Sequence, residues 1–126
     1  MNELTIIENF NGNPVEFHSG DAFVNLTSMC APFGKRPQAF LNLEQTMDFM
    51  DELEKVNDSQ PIIHTKSGCG GGTWVHPDLG LECARWLNPA LAIWCNEIIL
   101  KILAGQLQTA PVLREYTKIE MLEMLL

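Results

Sequence analysis

Two blocks that each end in proline constrain this chain most: Gly72-Thr73-Trp74-Val75-His76-Pro77 and Ala84-Arg85-Trp86-Leu87-Asn88-Pro89. The first begins as a strand. Thr73, Trp74 and Val75 are strand formers, and alternation turns Trp74 to the opposite side from its neighbours. Asp78 is placed to cap a helix that runs to Leu87, where Asn88-Pro89 breaks it. Pro89, as a first helical residue, opens a longer helix to Leu103 that Gly105 ends. Trp74, Trp86 and Trp94 are expected in the core, and His76 before Pro77 is expected to close the strand-to-helix corner with a hydrogen bond.

The remaining punctuation gives an α+β order of elements. Residues 4–10 are apolar and β-branched, Asn11-Gly12-Asn13 is a turn, and Val15 to His18 returns as a hairpin strand. Ser19-Gly20-Asp21 turns again, and Ala22 to Val24 reads as a short strand. Asn25 is a helix N-cap for Leu26 to Ala31, which Pro32 and Gly34 end. Pro37 opens a second short helix through Phe40, Leu41 and Asn42. From Leu43 the apolar positions Leu43, Met47, Met50 and Leu53 recur at helical spacing, with acids on the other face. Asn57-Asp58-Ser59 and Pro61 close that helix. Ile62 to Thr65 and Thr73 to Val75 form a second hairpin, connected by Ser67-Gly68-Cys69-Gly70-Gly71-Gly72. Residues 1–110 read as one module. Pro111 separates residues 111–126, an amphipathic helix with Leu113, Tyr116, Ile119, Met121, Leu122 and Leu125 as apolar positions. It either packs on the body, forms a homodimer contact, or links to a missing domain.

Several function classes are excluded by composition. No apolar run is long enough to span a bilayer, and the N-terminus lacks the basic and apolar regions of a signal peptide. The chain therefore reads as cytoplasmic, with no membrane partner. Its four cysteines, Cys30, Cys69, Cys83 and Cys95, then read as reduced thiols. None forms a C-x-x-C pair, so no zinc ribbon is expected. His64, Cys69 and His76 make a poor metal site and a poorer nucleophile pair, because nothing orients a base or supplies an oxyanion site. The glycine run lacks the Gly-Lys-Ser/Thr ending of a nucleotide loop. No catalytic residue, metal or cofactor is expected, and the chain reads as a non-enzyme.

Charge is the informative global property. Eight Lys plus Arg stand against sixteen Asp plus Glu, a formal net charge of −8. That balance opposes binding to phosphate. The acids are unevenly spread, however. No carboxylate lies between Asp21 and Glu44, where Lys35 and Arg36 sit, or between Asp58 and Asp78, where His64, Lys66 and His76 sit. The acids cluster instead at Glu44, Asp48, Asp51, Glu52, Glu54 and Asp58, and towards both ends of the chain. Two acid-free stretches in so acidic a chain have the composition of surfaces that meet an anion.

The two proline-ended blocks, together with Asp21-Ala22-Phe23-Val24-Asn25-Leu26-Thr27-Ser28-Met29, Gly34-Lys35-Arg36 and Phe40-Leu41, resemble the KilA-N domain of phage and large DNA virus proteins. The resemblance covers roughly residues 18–105. It implies a small α+β DNA-binding module, akin to the DNA-binding domain of fungal APSES transcription factors, in a phage or viral regulator of the transcriptional-control or antirepressor type. Many family members carry a further C-terminal domain.

A candidate interface follows from the residues themselves. Two short helices joined by a Gly-containing turn are a helix-turn-helix candidate, with the second as recognition helix. Lys35 and Arg36 at its entrance suit phosphate oxygens. Gln38 and Asn42, four apart and on one face, suit paired hydrogen bonds to an adenine edge in the major groove. The second hairpin serves as a wing, with Lys66, Ser67 and Gly68 at a tip slim enough for backbone N–H groups to approach phosphate. Lys35, Arg36 and Lys66 are expected on one face, away from the acids of residues 43–56. Arg85 reads as a surface ion pair with Glu82. Double-stranded DNA is thus the expected partner. The alternative is an acidic protein-binding inhibitor or antirepressor that has lost DNA affinity and meets a regulator protein through the acidic helix.

Overall fold

The computed structural model describes residues 4–58, 60–66 and 71–106, apart from the side chain of Lys66. Strands β1 (Thr5–Phe10) and β2 (Asn13–His18) form the N-terminal hairpin. Its two-residue turn holds Asn11 at φ 53° and Gly12 at φ 82°. Positive φ at both positions is what a twist-matched tight hairpin requires, and Asn-Gly supplies it at little cost. The two-residue β3 (Val24–Asn25) follows, then α1 (Leu26–Cys30), a one-turn 3₁₀ helix (Ala31–Phe33), α2 (Pro37–Leu41) and α3 (Glu44–Val56). Strands β4 (Ile63–Lys66) and β5 (Gly72–Val75) form the second hairpin, and α4 (Pro77–Leu87) and α5 (Pro89–Leu103) complete the described chain. All strands join one antiparallel sheet of order β1-β2-β3-β5-β4. The α+β class and both hairpins are as the sequence predicts.

β3 links the two hairpins although it is only two residues long. Val24 pairs with Phe17 on one side and Val75 on the other, and all three side chains are fully buried. Helix α4 crosses this point at Gly80. A β-carbon there would lie 2.1 Å from Val24 Cγ1, so glycine sets how closely helix and sheet approach. From α5, Trp94 packs on Phe10 and Phe17, with ring centroids 5.3 and 6.1 Å apart. Trp74 is buried; Trp86 and Trp94 are half-buried against the core.

The structure revises several local expectations. The cap of α4 is His76, not Asp78: His76 Nδ1 accepts the Asp78 backbone N–H at 3.0 Å. Pro77 is the first helical residue, so the cap must precede it, and the corner hydrogen bond expected of His76 is this one. Met47 points outward from α3, and the buried face is instead Thr46 and Leu53, with Phe49 and Met50 half-buried. Leu43, the extended residue before the helix, is half-buried against the core, and Met50 and Leu53 keep their expected inward side, so the departure is confined to Met47. The sequence also assigns Ala39, Phe40 and Leu41 to the inward face of the second short helix; Phe40 and Leu41 are buried, but Ala39 is exposed. Residues 111–126, with the expected last helix, lie outside the described residues.

Cys30 of α1 and Cys83 of α4 meet inside the core, Sγ to Sγ 3.8 Å. Their hydrogen bond lowers the Cys30 thiol pKa; the same bond together with burial raises that of Cys83. Burial pushes Cys95 up from 9.0 to about 12. A raised folded pKa means the folded state favours the neutral thiol. That contribution is whole below 9.0 and is lost as pH rises towards 12.

Two outcomes are expected. Gly80→Ala destabilises the fold by about 1–3 kcal/mol in urea unfolding, because neither the helix backbone nor branched, buried Val24 can yield. Stability falls between pH 9 and 10.5, at a rate from Cys95 that approaches about 1.4 kcal/mol per pH unit at the upper end, and the fall is smaller in Cys95→Ala measured over the same range.

Candidate nucleic-acid interface

Asn25 holds together the corner where α1 meets the second hairpin. Its backbone pairs with Trp74, and its side chain is buried, 3% exposed. Oδ1 accepts the Thr27 backbone N–H at 3.0 Å, which caps α1. Nδ2 donates to Glu16 Oε1 at 2.9 Å and to the Gly71 carbonyl at 3.3 Å. A primary amide suits the position because it carries an acceptor and two donors. Neighbouring bonds reinforce the corner. Thr73 N–H donates to Thr27 Oγ1 at 3.3 Å, Glu16 N–H to Ser28 Oγ at 3.2 Å, and the Ser28 hydroxyl to the Asn25 carbonyl at 2.8 Å. Gly72 has φ 141°, and a β-carbon on it would lie 2.4 Å from Asn25 Oδ1. Both facts require glycine there.

Past α1, Gly34 adopts the left-handed conformation at φ 69° and turns the chain into the exposed pair Lys35 and Arg36. Lys35 Nζ sits 5.3 Å from the Trp86 ring centroid, a cation–π contact that seats the lysine against α4. Trp86 in turn packs on Phe40, 5.7 Å between centroids. Helix α2 begins at Pro37 and buries Phe40 and Leu41. Gln38 and Asn42 face solvent together, and Gln38 Nε2 donates to Asn42 Oδ1 at 3.2 Å. That bond uses one Gln38 N–H and one Asn42 lone pair and leaves each amide with further hydrogen-bonding capacity.

Two features differ from a standard helix-turn-helix. The connection from α1 to α2 runs over residues 31–36, longer than the usual three- to four-residue turn. Helix α2 has five residues and is about 7.5 Å long at 1.5 Å per residue. Contact to a nucleic acid on this side would therefore come from the Gly34–Arg36 loop and the first turn of α2. On the hairpin, the Lys66 backbone pairs with Gly72. The Lys66 side chain, Ser67 and Gly68 lie outside the described residues, and with them the expected shared face of Lys35, Arg36 and Lys66.

Folding also brings in residues that sequence position hides. Glu16, sixteen places from the chain start, reaches the root of the hairpin, where Asn25 engages its carboxylate. The corner is therefore not acid-free, though the local sequence is. All three histidines surround Phe23: His18, His64 and His76 have ring centroids 6.4, 5.2 and 5.8 Å from it. His18 stacks on Trp74 at 4.0 Å and 9°, so Trp74 is a covered core ring and not an open stacking platform. The Trp74 Nε1 is buried without a hydrogen-bond partner among the described residues. Among the described residues, no group of three His, Cys, Asp or Glu is placed to hold a metal ion. No described helix is long and apolar enough to cross a membrane. Arg85 pairs with Glu82, as the sequence predicts.

The KilA-N domain model matches residues 8–105. The chain belongs to the KilA-N domain family. One curated relative is Protein kilA of Escherichia phage P1, 34% identical over 76 residues, which is 60% of this chain and 28% of that protein. The match thus spans less than a third of the relative's length. No solved structure matches the chain.

Asn25→Ala tests the corner. It removes a cap and orphans buried partners, and is expected to cost about 1–3 kcal/mol. Amide hydrogen exchange of Thr27 and Thr73 should quicken beyond what that global loss explains.

Proposed function

We propose that this protein is a phage-type regulator that binds double-stranded DNA through the Gly34–Arg36 loop, the first turn of α2 and the β4–β5 hairpin. The observation that carries the reading is the sequence of side chains on one solvent-facing turn. An exposed cation pair, Lys35 and Arg36, leads directly into an exposed, mutually hydrogen-bonded amide pair, Gln38 and Asn42. Cations hold the phosphate backbone, and amides read base edges. Membership of the KilA-N family and the likeness to a phage protein favour the same reading. In it, Lys66, Ser67 and Gly68 supply the hairpin's backbone contacts, and residues 1–110 act as the DNA-binding module. Residues 111–126 would serve as a homodimer contact or a link to a further domain. The role is transcriptional control or antirepression in the host cytoplasm, with no catalytic step. A second reading, a protein-binding inhibitor, is favoured by the exposed acids of α3.

The net charge of −8 shapes the expected behaviour. Long-range repulsion weakens non-specific binding, so affinity should depend on a few local contacts. Changing Lys35 and Arg36 together to Ala should weaken binding to all duplexes and lower the magnitude of the slope of log affinity against log salt by roughly 0.9 per lost contact. Gln38→Ala should instead relax preference at one base pair, by about 1–3 kcal/mol. Fluorescence anisotropy over a salt series reads both. Absence of binding by the wild-type chain at low salt, where attraction is least screened, removes the DNA reading and leaves the protein-binding one.

A further inference from the structure

A cleft of about 330 Å³ opens between α2, α3 and α4. Its walls include the rings of Phe40, Phe49 and Trp86, an aromatic lining suited to an apolar side chain. Thr46 also lines it. That residue is 3% exposed, and its Oγ1 is buried without a hydrogen-bond partner among the described residues. An occupant that reaches the hydroxyl gains a bond that no described internal group provides.

The border of the cleft is charged on one side. Exposed Gln45 of α3 also lines it. Asp48, Phe49 and Glu52 follow Gln45 by three, four and seven residues, so all lie along the same flank of the helix. Helix α3 as a whole carries Glu44, Asp48, Asp51, Glu52 and Glu54 against Lys55 alone, which forms a 3.2 Å exposed ion pair with Glu52, weak enough for an incoming cation to displace. The cation on the opposite wall, Arg85, is already paired with Glu82. An aromatic slot beside a row of carboxylates selects its occupant by charge.

We infer that this cleft is a docking site for a basic segment of another protein, which places one aromatic or branched aliphatic side chain in the slot and Lys or Arg on Asp48 and Glu52. DNA is repelled by the same carboxylates. A second copy of this chain brings its own net charge of −8 and is opposed for the same reason. The proposal deepens the protein-binding reading and is independent of DNA affinity.

The test uses the whole chain. A random-peptide display library is panned on it at low salt, and the enriched peptides are synthesised. They are titrated against wild type, Gln45→Trp, which fills the slot from an exposed position, and the double variant Asp48→Asn, Glu52→Gln. Circular dichroism and melting temperature verify folding. The expected peptides carry Lys or Arg beside an aromatic, Leu or Ile residue. Their Kd rises about tenfold in Gln45→Trp, which corresponds to about 1.4 kcal/mol. It rises also in the double variant and in about 0.5 M salt, where surface attraction is screened. Three results overturn the proposal: no enrichment, enriched peptides without basic residues, or equal binding to wild type and to both variants. Should Gln45→Trp melt early, the double variant and the salt series decide alone. DNA binding by the same variants is read in parallel. Its failure with peptide binding intact removes only the DNA reading, and the converse removes only the docking site.

Discussion

The buried side chain of Asn25 is the interaction on which the arrangement of this molecule depends. It lies where a two-residue strand must join two hairpins and start a helix. So short a strand offers few ladder bonds, and the side chain supplies the rest: one bond to the helix cap, one to β2 through Glu16, one to the root of the second hairpin through Gly71. Each is modest in net stability, on the order of 1 kcal/mol. Their combined effect is geometric, because one rigid amide orients three elements at once. Gly72 is the complement of that amide, since any side chain there would occupy the space of Oδ1.

The corner also links the two parts of the candidate interface. Helix α1 starts at Asn25 and ends in the chain that presents Lys35 and Arg36, while β5 starts at Gly72 and carries Thr73, bonded to Thr27. The loop and the hairpin root therefore share one origin. On the far side of Lys35, the Trp86 ring seats the ammonium group and, through Phe40, supports α2. One face of Trp86's surroundings thus serves the cation loop and another lines the α3 cleft, so regions of different charge preference lie close together on a small protein.

Much of this was legible where a residue has a local physical role. Asn11-Gly12 announced the hairpin turn, Asn25 the cap, and Pro37 and Pro89 the first turns of their helices, because φ, ψ and capping preferences act within a few residues. The long-range roles were not legible. That Asn25 also grips Glu16 and Gly71, nine and forty-six residues away, depends on strand order, which no local pattern encodes. Glu16 shows the same limit from the other side: acid-free stretches of sequence do not stay acid-free once strands pair. On α3, Met50 and Leu53 face inward as their spacing indicates, but Thr46 and Phe49 take the inner place expected of Met47, which hydropathy alone does not reveal. Trp86 read as core, and its role as the seat of Lys35 needed the α2–α4 packing. Alternation along β5 predicted which way Trp74 points, whereas His18 covering it came from a different hairpin.

The central claim is that the Gly34–Asn42 segment and the second hairpin form one DNA-binding surface, oriented by Asn25. Amide chemical-shift mapping during titration with a short DNA duplex tests it most directly. The account predicts concerted shifts in Gly34 to Asn42 and in Thr65, Lys66 and Gly71 to Thr73, with α3 amides unmoved. Shifts centred on Glu44 to Val56, or on only one of the two predicted segments, would contradict it.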